Sequence, residues 1–398
     1  MPRSPLPPPV GNNRLDKRNR GKAWVQPKAQ YWWGRVDDEL NVWDAALART
    51  RLAFEQFDHC SIQFSGGKDS TCVLNVALLV AEEMGRLPLD VQFFDEEAIP
   101  YETEDYCRRV AADPRINFRW YCLPVQHRNS CSRDEPVWWP WAPESEDLWV
   151  RPLPPEAITW DMIPNYPTVP DDRPPLPKVP GLLYPSSEYG TVIQLMGIRA
   201  QESLSRTRAV ANGRSENWVI PARDVGPNMM KGYPIYDWTT EDVWTAPQKF
   251  GWDYNRAYDM LEMAGMSHHG QRCAPPFGEQ PMQALWTFKC CFPDLWEPMT
   301  RRVPGAQTAA RYAKTELYSF GDIPDPPPGV TWKEHLRTRI EAEADPATRA
   351  YLANRTQREI KGHYKKTSDP LVSAPHPVTG IGWRWLYKIV DRGDFKAR

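Results

Sequence analysis

Cys60-Ser61-Ile62-Gln63-Phe64-Ser65-Gly66-Gly67-Lys68-Asp69-Ser70 is the stretch that decides the fold. Its first half is a short apolar run, the pattern of a buried strand. A glycine pair follows, and Thr71 to Glu83 (TCVLNVALLVAEE) then reads as a helix. Strand, glycine turn and helix, in that order, open an α/β nucleotide fold. Two glycines let the backbone pass close to a phosphate. The next helix offers its first unpaired N–H groups and the positive end of its dipole. Lys68 adds a point charge, and the hydroxyls of Ser65 and Ser70 can donate hydrogen bonds. The loop is not of the Walker A kind, because that motif needs Ser or Thr after its lysine, and Lys68 is followed by Asp69.

Outward from this loop the alternation continues. Leu89 to Asp95 reads as a second strand, Tyr101 to Ala112 as a helix and Asn117 to Leu123 as a third strand. Thr191 to Met196 resumes as a fourth strand, with a helix predicted from about Arg199. Upstream, Val36, Leu40, Trp43, Ala46 and Leu47 recur at helical spacing. Between the third and fourth strands, residues 134–190 are dense in Pro and Trp, as in Trp138-Trp139-Pro140-Trp141, and read as an insertion or long functional loop. Further on, Thr239 or Thr240 is placed to cap a helix with acids in its first turn.

The organisation expected is a flexible Pro-rich, basic tail at 1–30, a nucleotide-binding domain at 31–245 carrying the insertion at about 134–190, and a mostly helical region at 246–398. The tail's cations, Arg14, Lys17, Arg18, Arg20 and Lys22, suit a solvated tail or a contact with a phosphate backbone.

Composition narrows the classes. A net charge of −2 excludes polyanion binding by bulk charge, so any nucleic-acid role needs a local basic patch. The 42 prolines imply long irregular connections, and the 19 tryptophans imply that aromatic packing pins them. The 8 cysteines form no disulfide framework and no secretory signal precedes them, which predicts free thiols and a cytoplasmic protein. No apolar run approaches the roughly 18 residues of a membrane span.

Further segments fit one family. Gly197-Ile198-Arg199-Ala200-Gln201-Glu202-Ser203-Leu204-Ser205-Arg206 resembles the Gly-x-Arg-x-x-x-Ser-x-x-Arg segment of phosphoadenosine-phosphosulfate (PAPS) reductases, and Tyr233 to Trp244 (YPIYDWTTEDVW) looks like that family's helix-capping segment. Phe93-Phe94-Asp95-Glu96-Glu97, Asp147-Leu148-Trp149-Val150-Arg151-Pro152, Phe250-Gly251-Trp252-Asp253-Tyr254-Asn255-Arg256 and Pro276-Phe277-Gly278 with Leu285-Trp286 are similar to the IbrA-like branch of bacteria and phages. The resemblance implies a PP-loop core of HUP type, the adenine nucleotide alpha-hydrolase-like parallel sheet flanked by helices, plus a helical C-terminal region. It implies ATP or a related adenine nucleotide with Mg²⁺, and pyrophosphate held while a nucleophile attacks the α-phosphorus. It also implies a ParB-like protein partner in gene regulation.

The residues expected to act are then Ser65, Gly66, Gly67, Lys68, Asp69 and Ser70 on the phosphates, Gly197 beside them and Asp95 on the nucleoside. Asp69 is the expected Mg²⁺ ligand. Arg199 and Arg206, on one helical face, are expected to close as planar forks over an unknown second substrate.

One departure separates the chain from sulfonucleotide reductases. Those carry a catalytic cysteine in a C-terminal Glu-Cys-Gly-x-His segment, and the last eighty residues here contain none. Cys273, Cys290 and Cys291 are the only late cysteines. Cys290-Cys291 lacks the accompanying Cys-x-x-Cys of a [4Fe–4S] site, so no iron–sulfur cluster is expected. His268, His269 and these cysteines do not follow zinc-finger spacing, and read as buried thiols with a loop histidine pair. The leading expectation is a PP-loop enzyme giving AMP and pyrophosphate. The alternatives are a sulfonucleotide reductase with a displaced cysteine, and a nucleotide-gated regulator acting with a ParB-like partner and nucleic acid.

Overall fold

The computed structural model describes residues 40–132, 134–202, 211–212, 215–216, 218–222, 224–268, 270–277, 285–312, 325–374, 376 and 379–392. The basic tail, Arg206, His269 and Gly278 lie outside the described residues. The chain divides into two compact units, residues 1–202 with 206–313, and residues 203–205 with 314–398.

The first unit is a mixed α/β fold. Its strands are β1 (His59–Phe64), β2 (Leu89–Phe94), β3 (Ile116–Cys122), β4 (His127–Arg128), β5 (Val137–Trp138), β6 (Ile158–Thr159), β7 (Val192–Met196), β8 (Ala211–Asn212), β9 (Ser215–Glu216), β10 (Val219–Pro221) and β11 (Met229–Gly232). Its helices are α1 (Val42–Gln56), α2 (Lys68–Met84), α3 (Tyr101–Ala111), α4 (Pro180–Leu183), α5 (Ser186–Tyr189), α6 (Thr240–Phe250), α7 (Ala257–Met263), α8 (Leu285–Cys291), α9 (Pro293–Arg302) and α10 (Ala306–Tyr312). Seven strands form one sheet in the order β10-β11-β7-β1-β2-β3-β6, parallel except for β10 against β11. The four parallel strands read from the sequence are all present. The pair β10–β11 has no counterpart in the sequence reading, because three and four residues are too few to show a period.

Strand alternation gives the sheet two different faces. Cys60, Ile62 and Phe64 of β1, Val91 and Phe93 of β2, and Ile193 and Leu195 of β7 bury one face in the main core with α2. The opposite face is polar. Gln194 Nε2 donates to Gln92 Oε1 at 3.0 Å, Gln92 Nε2 to the Tyr184 hydroxyl at 2.6 Å, and that hydroxyl to Asp90 Oδ2 at 2.7 Å. A parallel sheet buries both faces, so these groups need partners. Tyr184 supplies them from the Pro/Trp-rich insertion, which is a cover for this face built of short turns rather than a free loop.

Helix α2 begins at Gly67 and ends at Gly85, whose φ of 66° is the left-handed conformation of a helix stop. The Thr239 cap forms as read: its hydroxyl and the Asp242 side chain bond reciprocally to each other's backbone N–H. Ala200–Glu202 form a 3-10 turn, and the rest of the helix expected from about Arg199, residues 203–210, lies outside the described residues.

The second unit holds α11 (Trp332–Glu341), α12 (Pro346–Tyr364) and α13 (Trp383–Arg392). They enclose Leu336, Leu352, Leu371, Ile381, Leu386, Ile389 and Val390. Thr331 and Asp345 cap the first two. Buried His363 ties the loop after α12, bonding Thr379 Oγ1 and the Asp369 carbonyl at 2.8 Å each. No helix among the described residues is long and apolar enough to cross a membrane.

Candidate functional site

The strand order reverses between β1 and β7: β2 and β3 lie on one side, β11 on the other. In open parallel sheets ligands bind at the carboxyl ends of the strands beside such a reversal. The loop Ser65–Ser70 stands at that point, joining β1 to α2.

Gly66 has a φ of 68°, and a Cβ there would lie 2.9 Å from Thr103 Cγ2. Only glycine fits both demands. The hydroxyls of Ser65 and Ser70 are 3.0 Å apart, and Ser70 Oγ accepts from Ser65 N–H at 3.2 Å and donates to the Gly67 carbonyl at 2.9 Å. The two serines thus brace the turn against the first turn of α2. Gly197 packs on the same turn, for a Cβ there would come within 2.6 Å of the Asp69 carbonyl carbon and 2.7 Å of Ser70 N.

Lys68 is 3% exposed, a buried cation. Its ammonium donates to the Gln271 carbonyl at 3.1 Å and stands 3.7 Å from Asp69 Oδ2. Arg272 Nη1 donates to that same carbonyl at 3.0 Å. Burial lowers the Lys68 pKa from its ordinary value, Asp69 pulls it back up, and Arg272 and Arg199 push it down again. The two cations share this neutral oxygen, with Asp69 beside Lys68 and Glu202 Oε1 3.7 Å from Arg272 Nη2. Asp69 itself is held by Arg199 through Oδ1, and Arg199 is 1% exposed with Nη1 also on the Trp238 carbonyl at 3.4 Å.

Both Asp69 oxygens face cations: Oδ2 lies 3.7 Å from Lys68 Nζ and Oδ1 pairs with Arg199. The Arg199 guanidinium faces Asp69, and Arg206, its expected companion, lies outside the described residues. The remaining loop residues and Gly197 are brought together.

Asp95 stands at the end of β2, yet its carboxylate is consumed. Oδ1 accepts from Glu97 N–H at 2.9 Å, and Oδ2 accepts from Trp120 Nε1 at 2.8 Å and pairs with Arg151. Glu97 is buried too, accepting from Trp141 N–H at 2.7 Å, Val150 N–H at 3.0 Å and Arg302 Nε at 3.0 Å. The stretches around Asp95, Trp141 and Arg151 singled out in the sequence meet in one buried ionic knot. Glu96 lies between the two pinned acids. Burial, then the neighbouring Asp95 charge, pushes its pKa up to about 7.

The sequence reading missed several residues that close over the loop. Tyr258 hydroxyl accepts from Lys68 N–H at 2.9 Å, occupying the helix N-terminal donor. Asn255 is 1% exposed and its Nδ2 donates to the Gly66 carbonyl at 2.9 Å and to Thr103 Oγ1 at 2.8 Å. Cys273 Sγ lies 3.6 Å from the Tyr258 hydroxyl; burial pushes its thiol up, and Tyr258 and Lys68 draw it back. Cys273 and Cys291 are buried as read, whereas Cys290 is exposed. A cavity of about 820 Å³ lies elsewhere, between Glu146 and Asp161, and none of the loop residues lines it.

A model of a domain of unknown function, DUF3440, matches residues 265–367. The chain is 28% identical over 386 residues to the uncharacterized protein YbdN of Escherichia coli strain K12, covering 90% of each. Among solved structures it is similar to a PAPS reductase from Candida auris in complex with phosphate, at a TM-score of 0.34 and 15% identity, covering 59% of this chain and 93% of that one. It is also similar to the Candida glabrata FMN adenylyltransferase in complex with FMN and the ATP analogue AMPCPP, at a TM-score of 0.31 and 11% identity, covering 54% and 59%. A third is the yeast FAD synthetase in complex with FAD, at 0.30 and 12%, covering 56% and 60%.

Proposed function

We propose that the chain is an enzyme that binds ATP, or a related adenine nucleotide, on Ser65–Ser70 and acts at the α-phosphate, releasing pyrophosphate to leave AMP or an adenylylated second substrate. One observation carries this reading: Lys68 and Arg272 converge on the single carbonyl of Gln271 beside a glycine turn at the sheet's reversal point. An anion placed there can accept hydrogen bonds from both cations and from the N–H groups at the start of α2. In this reading the β and γ phosphates take the place of the Gln271 carbonyl and the Tyr258 hydroxyl as acceptors. The α-phosphorus then faces the carboxyl edge of the sheet. Glu96, the acid of its turn that is not pinned, is the proton acceptor for the attacking group, since a pKa near 7 suits proton transfer at neutral pH.

Equilibrium titration with ATP, GTP and pyrophosphate tests the reading. Binding of ATP that is weakened at least tenfold in Lys68→Met supports it. Failure of the wild type to bind any of the three contradicts it.

The position of Cys273 favours a second reading, reductive cleavage of a sulfonucleotide. The thiol would attack sulfur, form an S-sulfocysteine and release the adenosine phosphate; an external thiol would then release sulfite as a disulfide forms. Sulfite release from adenylyl sulfate, lost in Cys273→Ser, would establish it over the first.

A further inference from the structure

We infer that α12 (Pro346–Tyr364) is a docking surface for B-form duplex DNA. Leu352, Thr356 and His363 turn its apolar side into the helical unit. On the other side Tyr351, Asn354, Arg358, Lys361 and Lys365 are all exposed. Their spacing of three and four residues puts them in one stripe, roughly 20 Å long at 1.5 Å per residue.

The stripe is of one sign. Residues 346–366 contain six Lys and Arg against one acid, Glu359, in a chain whose net charge is −2. Glu359 is half-buried and already paired with Arg355 at 3.1 Å. Arg358, Lys361, Lys365 and Lys366 have no carboxylate partner among the described residues. The helix dipole favours cations in the last turn, which accounts for the lysines at the end of α12. It does not account for Arg358, or for Tyr351 standing 58% exposed.

The connectivity agrees. Helices α11 and α12 are joined by residues 342–345 alone, a short turn of the kind that presents the second helix of a helix–turn–helix unit. Arg, Lys, Asn and Tyr are the side chains that read phosphates and base edges. The B-form major groove admits an α-helix, whereas that of A-form RNA is too narrow. A membrane surface is disfavoured, because the apolar side of α12 is already spent on its own core.

The test measures fluorescence anisotropy of a mixed-sequence 30-base-pair DNA duplex with the full chain, between about 50 and 200 mM salt. The wild type is expected to bind with a log–log salt slope of about −3 to −4. The triple variant Arg358→Glu, Lys361→Glu, Lys365→Glu is expected to lose at least tenfold in affinity and most of that slope. Arg301→Glu, an exposed charge in α9, is expected to bind as the wild type does. Far-UV circular dichroism checks folding; if the triple variant is unfolded, the same three positions changed to Gln replace it. Absence of duplex binding by the wild type overturns the assignment, as does undiminished binding by the folded variant. Equal binding of an RNA duplex, a single strand or phosphatidylserine vesicles also overturns it.

Discussion

The Lys68 ammonium donates to the carbonyl oxygen of Gln271, 3.1 Å away and 203 positions along the chain. Held this way, the Lys68 side chain is buried and pre-positioned. In the proposed reading, nucleotide binding is an exchange of acceptors rather than the capture of an exposed side chain.

The loop is therefore expected to carry stability. Asp69→Ala leaves the buried guanidinium of Arg199 without its carboxylate, and an uncompensated buried charge costs about 3–5 kcal/mol. Lys68→Met keeps the stem and removes the charge, so it is expected to cost less than Asp69→Ala. Urea unfolding of both variants checks this. Equal stability of Asp69→Ala and wild type would mean that the Asp69–Arg199 pair does not form.

Two glycines of the site are expected to behave differently. A methyl at Gly197 meets backbone atoms at 2.6 and 2.7 Å, so Gly197→Ala must shift the start of α2. It should destabilise by about 1–3 kcal/mol and abolish ATP binding. A methyl at Gly67 meets only side-chain atoms at 3.2, 3.4 and 3.7 Å. Gly67→Ala should fold with near wild-type stability and bind ATP more weakly. Thermal melts with and without ATP distinguish the two.

Much of this site was legible because its signals are local. The strand, the glycine pair and the helix at 60–83 stand in one window, and Thr239 to Asp242 is a four-residue pattern. The closing residues were not legible. Tyr258 and Gln271 lie 190 and 203 positions from Lys68, and nothing in their own neighbourhood marks them as partners of a loop. The pairing of Arg199 with Asp69 was not legible either, because the two residues lie 130 positions apart. In the insertion, Pro and Trp density announced irregular backbone but could not show that Trp141 and Arg151 would close on Asp95 and Glu97.

Glu96 should leave a mark on stability. A glutamate whose folded pKa is near 7, against an ordinary 4.5, binds its proton more tightly in the folded chain. Its contribution is full below about 4.5 and is lost as pH rises to about 7. The stability of the wild type minus that of Glu96→Gln should therefore fall between those limits and stay flat above them. Urea titrations at pH 4.5, 6, 7 and 8 measure it. A difference independent of pH would remove Glu96 as the proton acceptor.

Incubation of the purified chain with ATP labelled at the α-phosphate, followed by separation of AMP, ADP and adenylylated product, tests the proposed chemistry most directly. Label is expected in AMP or in an adenylylated acceptor, with unlabelled pyrophosphate released, and turnover is expected to be lost in Lys68→Met. Label in ADP that disappears in Lys68→Met would show cleavage between the β and γ phosphates on this same loop, and would contradict it.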